Sequence, residues 1–275
     1  MSDDRHMTAG KGETVLRCRG IERSFGGLKA LKRVDLEIRQ GEILGLVGPN
    51  GSGKTTMVNV ITGFYPPNAG TVELFGEPIT HLKPHVIAGK RLARTFQNLA
   101  LFRGLSVLDN IMLGRHVHMR PSALSTLFYW VWALRQETRN RRVVEEIIDF
   151  MQLQDIRNEP VEVVPLGLQK RVELARALAA EPSLLVLDEP MAGMNQEEKE
   201  YITRFILDAR DERGVSILLI EHHMDVVTAI CDRMQVLSYG ETIAEGAPHD
   251  AIADPRVVSA YLGQRAAQRH AGVAG

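Results

Sequence analysis

Residues 42–63 read EILGLVGPNGSGKTTMVNVITG, and this stretch decides the fold. Residues 42–47 form a short apolar strand that runs straight into GPNGSGKTT at 48–56. The following MVNVITGF has helical character and stops near Gly63, Pro66 and Pro67. Gly48 to Thr55 satisfies G-x-x-x-x-G-K-[ST] between a strand and a helix, the context this pattern requires. Its glycines let the backbone curl until the N–H groups converge on phosphate, helped by the helix N-terminus. Asn50, Gly51, Ser52, Gly53, Lys54, Thr55 and Thr56 are therefore candidate nucleotide contacts. Lys54 is long enough to reach the β- and γ-phosphates, and the Thr55 hydroxyl can join the shell of a Mg2+ ion. A glycine turn that merely happens to carry Lys-Thr would not account for the strand and helix on either side. The pattern points to a nucleotide-binding protein but names no class.

Upstream, apolar and polar residues alternate from Val15 to Ile21 and again over Val34, Leu36 and Ile38, predicting two strands joined by a turn at Gly26-Gly27. Downstream, a strand is expected over 71–74, followed by a mixed region carrying Arg94, Thr95, Phe96 and Gln97. The pattern turns helical between about 99 and 163, and a second helical run begins at Gly167. LLVLDEP at 184–190 is an apolar strand ending in acids; the YITRFILDAR helix then leads into a second buried strand, VSILLIEH. Strand, helix, strand in this order predicts an α/β core whose parallel strands are covered on both faces, with the 99–163 block as an inserted helical lobe. Residues 236–246 read as a hairpin, and DAIADPRVVSAYLG as a short helical tail.

Lys and Arg number 33 against 34 Asp and Glu, so no charge excess suggests a nucleic-acid partner. Cys18 and Cys231 are too far apart in sequence for a metal or redox motif and read as buried free thiols. The N-terminal MSDDRHMTAGKGE lacks the apolar stretch of a signal peptide, and no run approaches the ~20 apolar residues of a spanning helix. Work at a membrane would then require a peripheral role.

The strand over 184–187 delivers Asp188 to the sheet edge, where a carboxylate can hold the Mg2+ shell. Glu189 points differently and is placed to orient or deprotonate water. Two solvated acids at a strand end would be the plainer account, but the upstream phosphate loop weighs against it. Glu221-His222-His223 ends the next strand; adjacent side chains face opposite ways, so at most one histidine serves a common site. A metal role is weak, because no HExxH or comparable cluster completes a ligand set.

With these residues in hand, the chain resembles an ABC transporter nucleotide-binding subunit over residues 21 to about 263. GPNGSGKTT resembles the Walker A motif and LLVLDEP the Walker B strand with its catalytic glutamate, Glu189. The resemblance makes Gln97 of RTFQN the Q-loop glutamine, which contacts Mg2+ and water, and His222 of IEH the switch histidine. Phe25 resembles the aromatic that stacks on adenine, with a core strand residue as the alternative. VPLGL, with Pro165, Leu166 and Gly167 at its centre, resembles the LSGGQ-type signature that caps the ATP of the opposite subunit. Pro165 and Leu168 stand where the family has serine and glutamine, so this cap has fewer donors. Asn195 of AGMN stands where many D-loops carry aspartate.

The implied fold is a P-loop NTPase core of ABC ATPase type with an inserted α-helical subdomain and antiparallel β elements. Its expected single domain spans 14–263: core at 14–98 and 164–246, helical subdomain at about 99–163, helical tail at 248–263. Residues 1–13 and 264–275 are expected to be flexible. PLGLQKRVELARAL, DEPMAGMNQEEKE, IEHHMDVV and the tail resemble the ATPases of branched-chain amino acid and amide uptake systems. That implies ATP and Mg2+, a second ATPase subunit of the same or a paralogous chain, two permease subunits, an extracytoplasmic binding protein acting indirectly, and a place at the cytoplasmic face of the membrane. An exporter or lipid-transport ATPase is the alternative, and a soluble ABC ATPase a more distant one. The resemblance also places permease coupling helices near Phe96, Gln97 and residues 99–105. Phe128, Tyr129, Trp130 and Trp132 read either as a contact surface or, more simply, as a local core of the lobe.

Overall fold

The computed structural model describes residues 12–96, 99–118 and 129–262. In chain order the elements are β1 (Thr14–Phe25), β2 (Leu28–Arg39), β3 (Ile43–Val47), α1 (Lys54–Ile61), β4 (Ala69–Leu74), β5 (Glu77–Pro78) and α2 (Pro84–Ala88). Then come β6 (Leu92–Arg94), α3 (Val107–Met112), α4 (Tyr129–Phe150), α5 (Leu166–Ala179), β7 (Leu184–Asp188) and α6 (Gln196–Arg213). The chain continues through β8 (Ser216–Ile220), α7 (Met224–Ile230), β9 (Arg233–Ser238), β10 (Glu241–Gly246) and α8 (Pro248–Ala253).

β1 turns back at Gly26-Gly27 to pair antiparallel with β2, and β4 and β5 extend this sheet in the order β2-β1-β4-β5. The second sheet runs β10-β9-β3-β8-β7-β6, parallel from β9 to β6, with β10 added antiparallel at one edge. Every residue of β3, β7 and β8 is buried, as continuous apolar runs require when both faces are covered. Strand periodicity divides these residues between two cores. Leu44 and Leu46 join Met57, Val58 and Ile61 of α1 and the inner face of the antiparallel sheet. Ile43 and Val47 face the other way, into a core shared with Leu185, Leu187, Phe205 of α6 and the helices around α4 and α5.

Periodicity did not resolve β5, α2 or β6; β6 is three residues at the sheet edge, too short to show an alternation. It matters because it carries Arg94 to the end of β7. In the helical region, Arg115 is buried and ties the elements together. It donates to Asn140 Oδ1 of α4 at 3.1 Å, to the Ala179 carbonyl at the end of α5 at 2.7 Å, and to Glu181 at 2.6 Å. A cation at a helix C-terminus also meets the negative end of the helix dipole. The aromatic side chains proposed at 128–132 lie outside the described residues. Among the described residues, no helix is long and apolar enough to cross a membrane.

Candidate nucleotide site

The parallel strands end on one side of the sheet, and β3 there passes into the loop 48–53 and α1. Gly53 caps α1 in the left-handed region, φ 110°, and no side chain caps the helix. Its first-turn N–H groups therefore face the loop, a ready acceptor for anions. Gly48 adopts φ 148°, and a Cβ there would collide with the Leu237 carbonyl oxygen. Only glycine lets the loop begin this close to the end of β9.

A cavity of about 1120 Å3 opens over the loop, walled by residues 48–56, Phe25, Glu189 and His222. Lys54 is buried; its Nζ donates to the carbonyls of Gly48 at 2.7 Å and Pro49 at 3.0 Å. Burial holds the Lys54 ammonium below its ordinary pKa, and Glu189 and Asp188 pull it back up. Ser52 Oγ is buried with no hydrogen-bond partner among the described residues, so one loop hydroxyl retains its capacity for a ligand. Phe25 ends β1 on the cavity wall, 40% exposed, with Tyr65 edge-on at 5.2 Å and the Arg23 guanidinium 4.7 Å from the ring centroid. It is a wall residue rather than a core one.

Glu189 follows β7 in a left-handed conformation, φ 51°, which is strained for a residue with a side chain. Its amide donates to the Ile220 carbonyl at 2.9 Å. Its Oε1 lies 2.6 Å from His222 Nε2, a hydrogen bond in which the imidazole N–H donates. His223 turns away, its Nδ1 3.1 Å from Oε2 of the buried Glu221. β8 ends at Ile220, so both histidines lie beyond the strand in which the sequence placed them; the turn into α7, not strand alternation, sends them apart, with His222 on the cavity side. Asp188 is not on the wall: it lies beneath, 2% exposed, and its Oδ2 accepts from Arg94 Nη2 at 2.8 Å.

Pro165, Leu166 and Gly167 form the start of α5 and are not on this cavity's wall. Pro165 offers no side-chain cap, and Gly167 packs against the Glu198 side chain so tightly that a Cβ would lie 2.7 Å from its Cδ. Glu198 is held in turn by a capping box with Asn195: each side chain accepts from the other's backbone N–H at 2.9 Å. The AGMN loop and the α5 start are therefore joined through one carboxylate. Gln97 lies outside the described residues. Its neighbour Phe96 walls a second, largely apolar groove of about 520 Å3 together with Phe64, Ile87, Leu92 and Phe102.

Tyr239 and Tyr261 also wall the nucleotide cavity, and periodicity marked neither. Tyr261 arrives on the helical tail, and burial pushes its hydroxyl up to about 12 against the opposing pull of the Gly48 amide. Its signal in the sequence is a single tyrosine in the helical tail. The role of Arg94 had no signal beyond its nearness to Gln97.

The sequence profile of the family described as ABC transporter matches residues 31–192, more than half of the 275-residue chain. The chain belongs to the ABC transporter family. As such a cassette it binds adenine nucleotide and is an ATPase. A second profile, described as branched-chain amino acid ATP-binding cassette transporter, matches residues 241–267. The chain is 36% identical to the high-affinity branched-chain amino acid transport ATP-binding protein BraF of Pseudomonas aeruginosa, covering 91% of this chain and 98% of BraF. It is 35% identical to LivG of Escherichia coli, over 92% of this chain and 99% of LivG. The crystal structure of the ADP conformation of MJ1267, an ATP-binding cassette of an ABC transporter, superposes with a TM-score of 0.80 at 32% identity, covering 91% of this chain and 99% of that one. The dimeric cassette MJ0796 superposes with a TM-score of 0.71 at 25% identity, covering 85% and 98%.

Proposed function

We propose that this chain powers membrane import of branched-chain amino acids or related amino acids and amides, at the cytoplasmic face of the membrane, through a partner permease. The observation that carries the substrate class is the match of residues 241–267 to the branched-chain cassette profile, because that segment lies outside the part matched by the general ABC profile. The working assembly is two cassettes, this chain with a copy or a paralogue, on two permease subunits, with an extracytoplasmic binding protein delivering solute. Support for pairing comes from the placement of Pro165, Leu166 and Gly167 off the chain's own nucleotide cavity, which leaves them to cap the nucleotide of a second subunit. The apolar groove beside Phe96 is the seat for the permease's cytoplasmic helices.

In the cavity, loop amides and Lys54 would hold the phosphates, and Phe25 would stack on adenine. Thr55 and Asp188 are hard oxygen donors, with Thr55 on the wall and Asp188 close enough to act on Lys54, so their chemistry fits Mg2+. Thr55, Asp188 and, by its motif, Gln97 would hold Mg2+, which would neutralise phosphate charge. Glu189 orients and deprotonates the attacking water, and His222 fixes the Glu189 carboxylate through the 2.6 Å hydrogen bond. Glu189→Gln should lower ATP turnover by about 10²-fold or more while leaving nucleotide affinity within a few-fold. Equal turnover would remove Glu189 from the mechanism. The transport reading is tested by mass spectrometry of what co-purifies from gently solubilised native membranes. Permeases with a second cassette would support it, and a soluble assembly without permease would overturn it.

A further inference from the structure

Arg94 closes β6 at the edge of the parallel sheet, and its side chain is 9% exposed. Nη2 donates to Asp188 Oδ2 at 2.8 Å, and Nη1 donates to Asn59 Oδ1 on α1 at 2.6 Å. Both members of the Arg94–Asp188 pair are withdrawn from water, so each neutralises a charge that would otherwise be stranded. The same guanidinium has a second set of neighbours. It lies 5.1 Å from the Phe96 ring centroid and 5.9 Å from that of Phe64, and the two rings meet edge-on at 6.2 Å. These rings are 37% and 50% exposed and wall the apolar groove. Arg94 Nε is buried without a hydrogen-bond partner among the described residues.

We propose that Arg94 is a positioning residue that sets the charge at Asp188 and ties it to the aromatic wall of the groove. The inference rests on reading Asp188 as the metal-facing carboxylate of the nucleotide site. A guanidinium on one oxygen of that carboxylate repels a divalent cation approaching the other, so metal binding weakens while Arg94 is seated. Phe64 and Phe96 hold the guanidinium by cation–π contact from the groove side. A segment that moves these rings moves Arg94, and with it the affinity of Asp188 for the metal. Linkage makes the effect reciprocal: metal nucleotide at the site alters affinity in the groove. The groove and the metal-facing carboxylate are thereby coupled through a single side chain that touches both.

The test uses the isolated full-length chain and a fluorescent ADP analogue titrated at varied Mg2+. Arg94→Gln should lower the Mg2+ midpoint for nucleotide binding by about 10-fold, with metal-free binding unchanged, and Arg94→Lys should stay near the native midpoint. Phe96→Ala should shift that midpoint by about 3-fold in the native background and not at all with Arg94→Gln. A merely structural arginine would instead weaken binding equally with and without Mg2+. Thermal unfolding gives an arm independent of ligand: Arg94→Gln should lower Tm, and adding Asp188→Asn should restore it. If Arg94→Gln alone does not fold, recovery of a folded Arg94→Gln/Asp188→Asn chain carries the same meaning, and failure of both overturns the pairing. If Asp188→Asn abolishes the Mg2+ dependence and Arg94→Gln leaves the midpoint unmoved, the inference fails while the site reading stands. Should Asp188→Asn leave the Mg2+ dependence intact, the metal-facing reading of Asp188 fails and takes the inference with it.

Discussion

Gly48→Ala isolates how far the phosphate loop depends on one backbone position. The added Cβ would overlap the Leu237 carbonyl oxygen and come 2.8 Å from Ser52 Oγ, at a φ of 148°. The first obstacle is backbone at the end of β9, which cannot rotate aside as a side chain can. Backbone strain in a region reserved for glycine costs about 1–3 kcal/mol. Overpacking adds about 1–3 kcal/mol. The expected loss is therefore about 2–6 kcal/mol, equivalent to roughly 4–24 °C in Tm for a chain of this size. Gly51→Ala is the control: its φ of 77° also disfavours alanine, but nothing lies within 4 Å of the new Cβ, so only the strain remains. Thermal unfolding of both variants, alongside fluorescent-ADP binding, separates the effects. Gly48→Ala should be clearly less stable than Gly51→Ala and should bind nucleotide more weakly, because the loop's first amide is displaced. Equal unfolding curves would refute the argument that close approach to β9, rather than φ alone, selects glycine at 48.

Arg115→Met should destabilise the chain by about 3 kcal/mol, since it leaves Asn140 and the Ala179 carbonyl without their buried donor. Urea unfolding measures this, and a change under 1 kcal/mol would show the helical region does not rely on that arginine. Burial raises the thiol pKa of Cys18 well above the ordinary value and pushes that of Cys231 up to about 12. A thiol whose pKa is raised stays protonated, so at pH 8 both should react with Ellman's reagent far more slowly than free cysteine and should label fully only on unfolding. Rapid labelling of the native chain at pH 8 would contradict their burial.

How much of this was legible in the sequence depends on the range over which each feature is encoded. The phosphate loop is local: six residues between β3 and α1 carry their own geometry, and so 48–56 could be placed before any contact was known. Glu189 and His222 could each be assigned a strand end, and parallel pairing of β7 with β8 brings those ends together. The 2.6 Å contact between them is a product of that register and of the left-handed turn at Glu189, which no periodicity announces. Arg94 was further from view, because β6 is three residues long and its partners Asp188 and Asn59 lie 94 and 35 positions away in sequence. Tyr261 reaches the cavity only because the tail folds back over the loop that begins at Gly48.

These long-range additions share a physical character that the motif residues lack. Lys54, Glu189 and His222 meet the nucleotide cavity directly, whereas Arg94 sits behind Asp188 and Glu198 behind Gly167, each fixing a residue that the motifs name. A motif specifies which groups face a ligand; the charge and position of those groups depend on buried neighbours drawn from other elements. Chains that share the phosphate loop can therefore differ in how that loop answers to the rest of the molecule. In this chain, β6 brings a cation between a buried carboxylate and the aromatic wall of an exposed groove.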